Sequence, residues 1–185
     1  MSEYEELLAK AKKFHGDVCP GIVLGTRVAM VGRRELGMSA TEKNRDLIVY
    51  VEIDRCMADA IQAITGCSLG HRSLKAMNYG KFAATFVDTA RGNAVRVSVK
   101  ERTGPRPGKG DRKDMVKTLA ETPEADLIRI QKVRVAIPDQ DMPGFPKYKA
   151  VCSQCGDQVL DGRESMVGGK PVCKACAQGA YYEEV

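Results

Sequence analysis

Four cysteines near the C-terminus constrain the fold of this chain more than any other feature. Two C-x-x-C pairs, Cys152/Cys155 and Cys173/Cys176, are separated by 17 residues. Each pair turns two thiolates towards one point, and two such turns complete the tetrahedron that zinc prefers. The surrounding segment has too little apolar surface to fold without a bound metal ion that links its two cysteine pairs. Its few core candidates are Val159, Leu160, Met166 and Val172.

The metal predicted for this module is a structural zinc ion, because four cysteine ligands leave no open position for a substrate. Zinc binds thiolates and is redox-silent, which favours it over the alternatives of an iron site or two disulfides. We expect a short helix over residues 177–182 to carry the last cysteine pair.

The seven cysteines fall into two groups, which predicts two structural units. Cys19, Cys56 and Cys67 lie within the first 67 residues, and the other four lie in the last fifth of the chain. The N-terminal sequence MSEYEELLAKAKKF is acidic and amphipathic, unlike a signal peptide, and Arg27 interrupts the longest apolar stretch. We therefore expect a cytoplasmic protein without membrane association, in which a disulfide scaffold is disfavoured.

Hydrophobic patterning predicts an α+β core in which a mostly antiparallel sheet packs with helices. Ser2 and Glu5 form a capping-box pattern at the start of a helix over residues 2–15. Gly37 and Gly66 follow two further helical patterns. The runs FAATFVDT and AVRVSVKE, joined by ARGN, indicate a hairpin. The other predicted elements are helices at 21–36, 57–65 and 111–121, with Asp111 as a cap, and strands at 46–53 and 132–137.

Composition divides the chain into a core domain at 1–137, a linker at 138–148 and a zinc-finger module at 149–185. The linker is predicted from three prolines and a glycine in PDQDMPGFPKY. Residues 96–117 carry eight lysines or arginines against three acidic residues, a net charge of +5. A run of this kind is usually a solvated loop, but basic, glycine-rich loops also bind phosphates.

A histidine and two cysteines form the second candidate site. Cys19 precedes Pro20, which disfavours helical backbone at Cys19, so His15 and Cys19 are expected across a turn between two helices. Cys56 opens a predicted helix, where the helix dipole would lower the pKa of its thiol. Cys67 lies beyond the other end of that helix, roughly 16 Å away. It therefore joins a different site or meets a neighbouring chain across a dimer interface.

Each of these residues also has a purely structural interpretation. A free cysteine often serves as a small buried hydrophobic residue, which applies to Cys56 and above all to Cys67. His15 could act as a cation at the C-terminal end of the first helix. His71, in GHRSL, has the surroundings of a polar loop residue.

Three motifs, FHGDVCPGIVLG, CMADAIQAITGCSLG and NYGKFAATF, occur in this order. Together they resemble the FmdE family of formylmethanofuran dehydrogenase proteins over most of residues 5–100. The four-cysteine module is similar to a zinc finger that some members carry. The resemblance implies a dimeric α+β core whose pocket gathers His15, Cys19, Cys56 and Cys67 for metal or thiol chemistry. It also places the Gly80-Lys81 pair in a family motif.

This chain departs from the family pattern at two positions. The common form of the first motif is His-Gly-His-x-Cys-Pro-Gly, and Asp17 stands where the second histidine would be. A carboxylate there favours harder metal ions. Relatives often have lysine where this chain has His71.

Members of the family are named for association with the molybdenum or tungsten enzyme that fixes carbon dioxide onto methanofuran. The resemblance therefore favours an accessory or metal-handling protein, related to methanogenesis, over an independent oxidoreductase. Its expected cofactors are the structural zinc and a second metal ion in the core site. Its expected partners are a second copy of the chain and molybdenum or tungsten dehydrogenase subunits.

Two other functions compete with this interpretation. The first is a regulatory nucleic-acid-binding or protein-interaction role for the zinc finger and the basic loop, although residues 152–185 carry only three basic against five acidic residues. The second is an independent enzyme in which Cys56 is a nucleophile and His15 its base. The sequence contains no phosphate-binding loop and no dinucleotide-binding turn, so no motif indicates a substrate for such an enzyme.

Overall fold

The computed structural model describes residues 2–39, 44–101, 112–183 and 185. The chain divides into two compact units, Met1–Ala136 and Ile137–Val185. The helices are α1 Glu3–His15, α2 Pro20–Glu35, α3 Cys56–Thr65, α4 Arg112–Glu121, α5 Glu124–Leu127 and α6 Lys174–Gln178. The strands are β1 Leu47–Val51, β2 Leu74–Ala76, β3 Ala83–Asp88, β4 Asn93–Val99, β5 Ile128–Val133, β6 Lys149–Val151, β7 Gln158–Leu160, β8 Ser165–Val167 and β9 Lys170–Val172.

Local sequence signals set the ends of the first three helices. The predicted capping box is present at α1, where Ser2 Oγ accepts from the Glu5 N–H and Glu5 Oε2 accepts from the Ser2 N–H. Helix α2 has Cys19 as its N-cap and Pro20 in its first turn, where a missing N–H costs nothing. Helix α3 ends at Gly66, whose φ of +74° is left-handed.

A five-stranded sheet in the order β2-β1-β3-β4-β5 forms the centre of the first unit. Strands β1 and β2 are parallel, with α3 connecting them, and the other three pairings are antiparallel. The predicted hairpin is present as β3 and β4, with Asp88 paired to Asn93 beside the turn. The prediction of an α+β fold with a mostly antiparallel sheet is therefore confirmed.

One face of this sheet packs against helix α2, and helices α1 and α3 pack against α2 and against each other. Alternate strand residues such as Val49, Phe86 and Val97 are fully buried in the same apolar cluster as Ile22 and Ile61 of the helices. Two glycines of α2 allow close packing, Gly25 against α3 and Gly32 against β3. A Cβ on Gly25 would lie 2.7 Å from Ala60 Cβ, and one on Gly32 would lie 2.3 Å from the Phe86 ring.

The position predicted for the last strand of this unit was wrong. The sequence pattern favoured 132–137, whereas β5 is Ile128–Val133. Isoleucine and valine recur at intervals on both sides of this boundary, so the sequence allows either segment to be the strand. Pairing with β4 determines the position, since Ile128 lies opposite Val99 and Val133 lies opposite Ala94. The short strand β2 was not predicted at all.

The second unit contains two short hairpins, β6–β7 and β8–β9, followed by α6. The expected linker region belongs to this unit and includes the 3₁₀ turn Asp139–Asp141, to which Lys147 adds an ion pair at 2.6 Å. The helix expected at 177–182 instead begins at Lys174. Its start is set by Cys173, whose sulfur accepts from the Cys176 N–H as an N-cap.

Two features predicted from sequence fall wholly or partly outside the described residues. Asp111, the predicted cap of α4, is one of them, and the centre of the basic segment 96–117 is the other. Within the described ranges, no helix combines the length and the hydrophobicity that a membrane crossing requires.

Candidate metal centre

The four C-terminal cysteines converge on one point, as their spacing predicts. Their sulfur atoms all lie within 4.8 Å of one another. Cys155 Sγ and Cys173 Sγ are 3.9 Å apart. This separation matches the edge of about 3.8 Å that a tetrahedron with zinc–sulfur bonds of about 2.3 Å requires. The donor set and its geometry therefore fit a structural zinc ion held by Cys152, Cys155, Cys173 and Cys176.

Backbone amides favour the thiolate form of one of these cysteines, Cys152. Hydrogen bonds from the N–H groups of Cys155, Cys173 and Gln154 lower the pKa of Cys152 to about 6. The side chains of Cys173 and Cys155 raise the pKa of Cys176 to about 12. A dication is therefore needed to hold all four sulfurs in the ionised form. With four thiolates bound, zinc has no position left for a substrate, so this centre stabilises the module.

His15, Cys19 and Cys56 form a second cluster, in the first unit. One ring nitrogen of His15 and the sulfurs of Cys19 and Cys56 lie within 4.8 Å of one another. His15 is the last residue of α1, Cys19 caps α2, and Cys56 is the first residue of α3. Three element ends therefore meet at one place, which explains how residues 41 positions apart in sequence become neighbours.

Asp59 fixes the orientation of the His15 ring, and the sequence interpretation had missed it. His15 Nδ1 lies 2.7 Å from Asp59 Oδ2, while His15 Nε2 faces Cys19 Sγ at 4.0 Å. A carboxylate on one ring nitrogen holds the other as an unprotonated metal ligand. The available signal was the spacing of Cys56 and Asp59, which places both on one side of a helix.

The remaining geometry also accommodates a metal ion. Cys19 Sγ accepts a hydrogen bond from the Ile22 N–H at 3.4 Å, and this bond fixes the position of the sulfur at the start of α2. A Cβ on Gly21 would lie 2.9 Å from Cys56 Cβ, so glycine is required for the two helix ends to meet. One imidazole nitrogen and two thiolates are ligands that suit zinc and leave a fourth position open.

Asp17 lies beside this cluster but is held by a cation. Its Oδ1 is 3.6 Å from His15 Nε2, and its Oδ2 is ion-paired with Arg112. Its carboxylate therefore approaches the cluster without belonging to it.

The expected low pKa of the Cys56 thiol was wrong. Burial and the neighbouring Cys19 sulfur raise the pKa of Cys56, and together they outweigh its backbone hydrogen bond. Two thiols this close disfavour a second negative charge, whereas a bound dication would favour both thiolates.

Cys67 does not join the cluster within one chain. It is 3% exposed, and its sulfur donates to the Leu47 carbonyl oxygen at 3.4 Å. Burial raises the pKa of its thiol, as expected of a small core residue. His71 is exposed and hydrogen-bonds Ser68 Oγ at 3.0 Å. In the Gly80-Lys81 pair, Lys81 lies over the Tyr79 ring, 5.9 Å from its centroid.

Comparison with known proteins gives one curated relative and one solved structure of interest. A protein of Archaeoglobus fulgidus described as a probable S-adenosyl-L-methionine-binding protein is 37% identical over 101 residues, which span 53% of this chain and 28% of that protein. A tungsten formylmethanofuran dehydrogenase FmdE-like protein from Syntrophus aciditrophicus superimposes with a TM-score of 0.64, at 23% identity, covering 97% of this chain and 95% of that one. The second likeness shows a shared fold.

Two family models match the chain, one in each part. The model of the prokaryotic dksA/traR C4-type zinc finger matches residues 146–182, which include all four clustered cysteines. The model described as "FmdE, Molybdenum formylmethanofuran dehydrogenase operon" matches residues 14–140, which include His15, Cys19 and Cys56. Since this second match covers more than half of the chain, the protein belongs to the FmdE family and carries a C4-type zinc finger at its C-terminus.

Proposed function

We propose that the protein binds a second thiophilic metal ion through His15, Cys19 and Cys56, in addition to the zinc of its finger. The observation that carries this proposal is the meeting of three ligand atoms within 4.8 Å, with one ring nitrogen already engaged by Asp59. A histidine that served only to end α1 would need neither cysteine beside it. In this role the chain is a metal-handling or accessory protein.

Family membership supports a connection with molybdenum or tungsten formylmethanofuran dehydrogenase. We propose that the protein acts beside such an enzyme as an accessory subunit, and that it works as a homodimer. Light scattering of the purified chain tests the dimer. Mixing it with a purified molybdenum or tungsten formylmethanofuran dehydrogenase tests the association, and failure to co-elute would contradict it.

Metal content per chain tests the second site directly. The protein is purified without oxygen, and its metals are measured beside those of Cys56→Ala and Cys67→Ala. We expect two metal ions per chain in the natural protein and in Cys67→Ala, because Cys67 lies outside the cluster. Cys56→Ala should retain only the finger's ion. One ion per chain in all three proteins would show that the core cysteines are packing residues.

A further inference from the structure

A pocket with a volume of about 500 Å³ lies at the end of β1, between α3 and β2. These three elements form the parallel β1–α3–β2 unit, in which the carboxyl end of β1 leads to the start of α3. Open α/β sheets characteristically bind ligands outside the carboxyl ends of parallel strands. The pocket also has the size of a small-molecule site, for which about 300–1,000 Å³ is usual.

The pocket and the metal cluster share Cys56, and a second pocket residue, Asp59, contacts the cluster. Cys56 and Asp59 line the pocket, and the same two side chains contact Cys19 and His15 respectively. A molecule in the pocket therefore lies against the ligand shell of the cluster. The other walls are mainly apolar side chains from the sheet edge and the following loop: Val51, Ile53, Leu69, Leu74 and Ala76.

The chemistry of the cluster limits what this molecule can be. Three protein ligands leave one position of a tetrahedral ion free, and two sulfurs with one nitrogen suit a thiophilic metal. The start of α3 favours a negatively charged group beside Cys56. A thiolate meets both conditions, and the apolar walls favour a hydrocarbon body behind it.

We propose that the pocket binds a small organic thiol with an apolar body, whose sulfur takes the fourth ligand position beside Cys56. The thiol gives up its proton to the solvent as it binds, and nothing is oxidised or reduced. This inference rests on the proposed second metal site. It adds the ligand class, and it assigns the pocket to the hydrocarbon part of that ligand.

Cobalt in the full-length protein provides the test, because its visible absorption changes with the number of sulfur ligands. The cobalt-loaded chain is titrated with 2-phenylethanethiol, with 2-phenylethanol and with 2-mercaptoethanol. We expect a spectral shift with both thiols and none with the alcohol. The phenyl compound should bind at least about tenfold more tightly than 2-mercaptoethanol, because its ring buries apolar surface in the pocket.

Two variants localise the binding. Ala76 lines the pocket on the exposed edge strand and is not one of the cluster residues, so Ala76→Phe should fill part of the pocket and lose about tenfold in affinity for 2-phenylethanethiol. Ala9→Phe, on the exposed side of α1, is the matched control and should bind as the natural chain does. Cys56→Ser should show no response to the thiols. It lacks a ligand of the core site, and the cobalt ion of the finger already has four cysteine ligands and no open position.

The outcomes separate the two proposals. A chain that takes up only one cobalt ion contradicts the second metal site and this inference with it. Two cobalt ions with no spectral response to either thiol leave the metal site standing and overturn the thiol ligand. If Ala76→Phe responds to 2-phenylethanethiol with the same affinity as the natural chain, the assignment of the pocket is overturned. A second copy of the chain that occupied the pocket would give this result.

Discussion

His15 can present only one ring nitrogen to a metal ion, and Asp59 determines which one. The Nδ1 atom is engaged by the carboxylate at 2.7 Å, so Nε2 faces Cys19. We expect Asp59→Asn to reduce the affinity of the core site for zinc by about tenfold, because the amide holds the ring less firmly and makes it less basic. Competition with a chromogenic chelator measures this change, with the finger's zinc as an internal reference.

Glu6→Gln removes an exposed carboxylate from α1 and serves as the control. It should leave both affinities unchanged. Equal zinc affinities for Asp59→Asn and the natural chain would show that the His15–Asp59 contact is only a surface ion pair.

Asp17 offers a second prediction at the level of one side chain. Its Oδ1 lies 3.6 Å from His15 Nε2, next to the ligand cluster, while its Oδ2 is ion-paired with Arg112. We expect Asp17→His to increase the preference of the core site for zinc over manganese, since imidazole is a softer ligand than carboxylate. Paired titrations with the two metals give the ratio of dissociation constants. If the manganese dissociation constant divided by the zinc dissociation constant did not increase in Asp17→His, position 17 would not face the ion.

The sequence singled out three of the four side chains that the structure brings together at the ends of α1, α2 and α3. His15, Cys19 and Cys56 could be grouped because a proline, a glycine and a helix start place each of them at an element end. The spacing of Cys56 and Asp59 places both on one side of α3, but the sequence alone does not say that the end of α1 lies over that side. Cys67 was implied by family resemblance, but its sulfur faces the Leu47 carbonyl.

Helices α2 and α3 meet through Gly25, which makes their packing sensitive to one methyl group. A Cβ there would lie 2.7 Å from Ala60 Cβ and 2.8 Å from the Met57 carbonyl oxygen. Alanine gains about 1 kcal/mol in helix propensity, but overpacking costs about 1–3 kcal/mol. Because backbone atoms cannot move aside easily, we expect Gly25→Ala to lower the free energy of unfolding in urea.

Gly70→Ala is the matched control for this substitution. A Cβ at Gly70 has nothing within 4 Å, so the change should be neutral or slightly stabilising. If both variants unfolded at the same urea concentration, the close contact of α2 with α3 would not limit the packing.

Elements with strong local signals were predicted well, whereas elements defined by pairing were not. Helices α1 and α3 have caps that the sequence displays, and the β3–β4 hairpin has its own turn. Strand β2 has only three residues and exists because β1 offers it a parallel edge. The position of β5 is likewise set by its partner strand, since its own apolar pattern continues past Val133.

The two units of the chain are stabilised by different means. The first unit contains a large apolar cluster that joins its helices and sheet, including Leu7, Ile61 and Phe86. In the described part of the second unit, the buried cluster consists of Cys152, Val159 and Val172, with Cys173 and Cys176 against it. Three of the five residues in this cluster are therefore cysteines of the zinc centre.

Removal of zinc should consequently unfold the second unit and leave the first intact. Without the ion, burial of two valines cannot offset the conformational entropy of ordering residues 137–185. We expect a strong chelator to make trypsin cleave after Arg163 and Lys174, two residues of the cysteine module, while most of the helical circular dichroism remains. Cys155→Ser should behave in the same way without chelator, and Cys56→Ala should not, because its finger is complete. Resistance of Arg163 and Lys174 to trypsin in the zinc-free chain would show that the module folds on its hairpins alone.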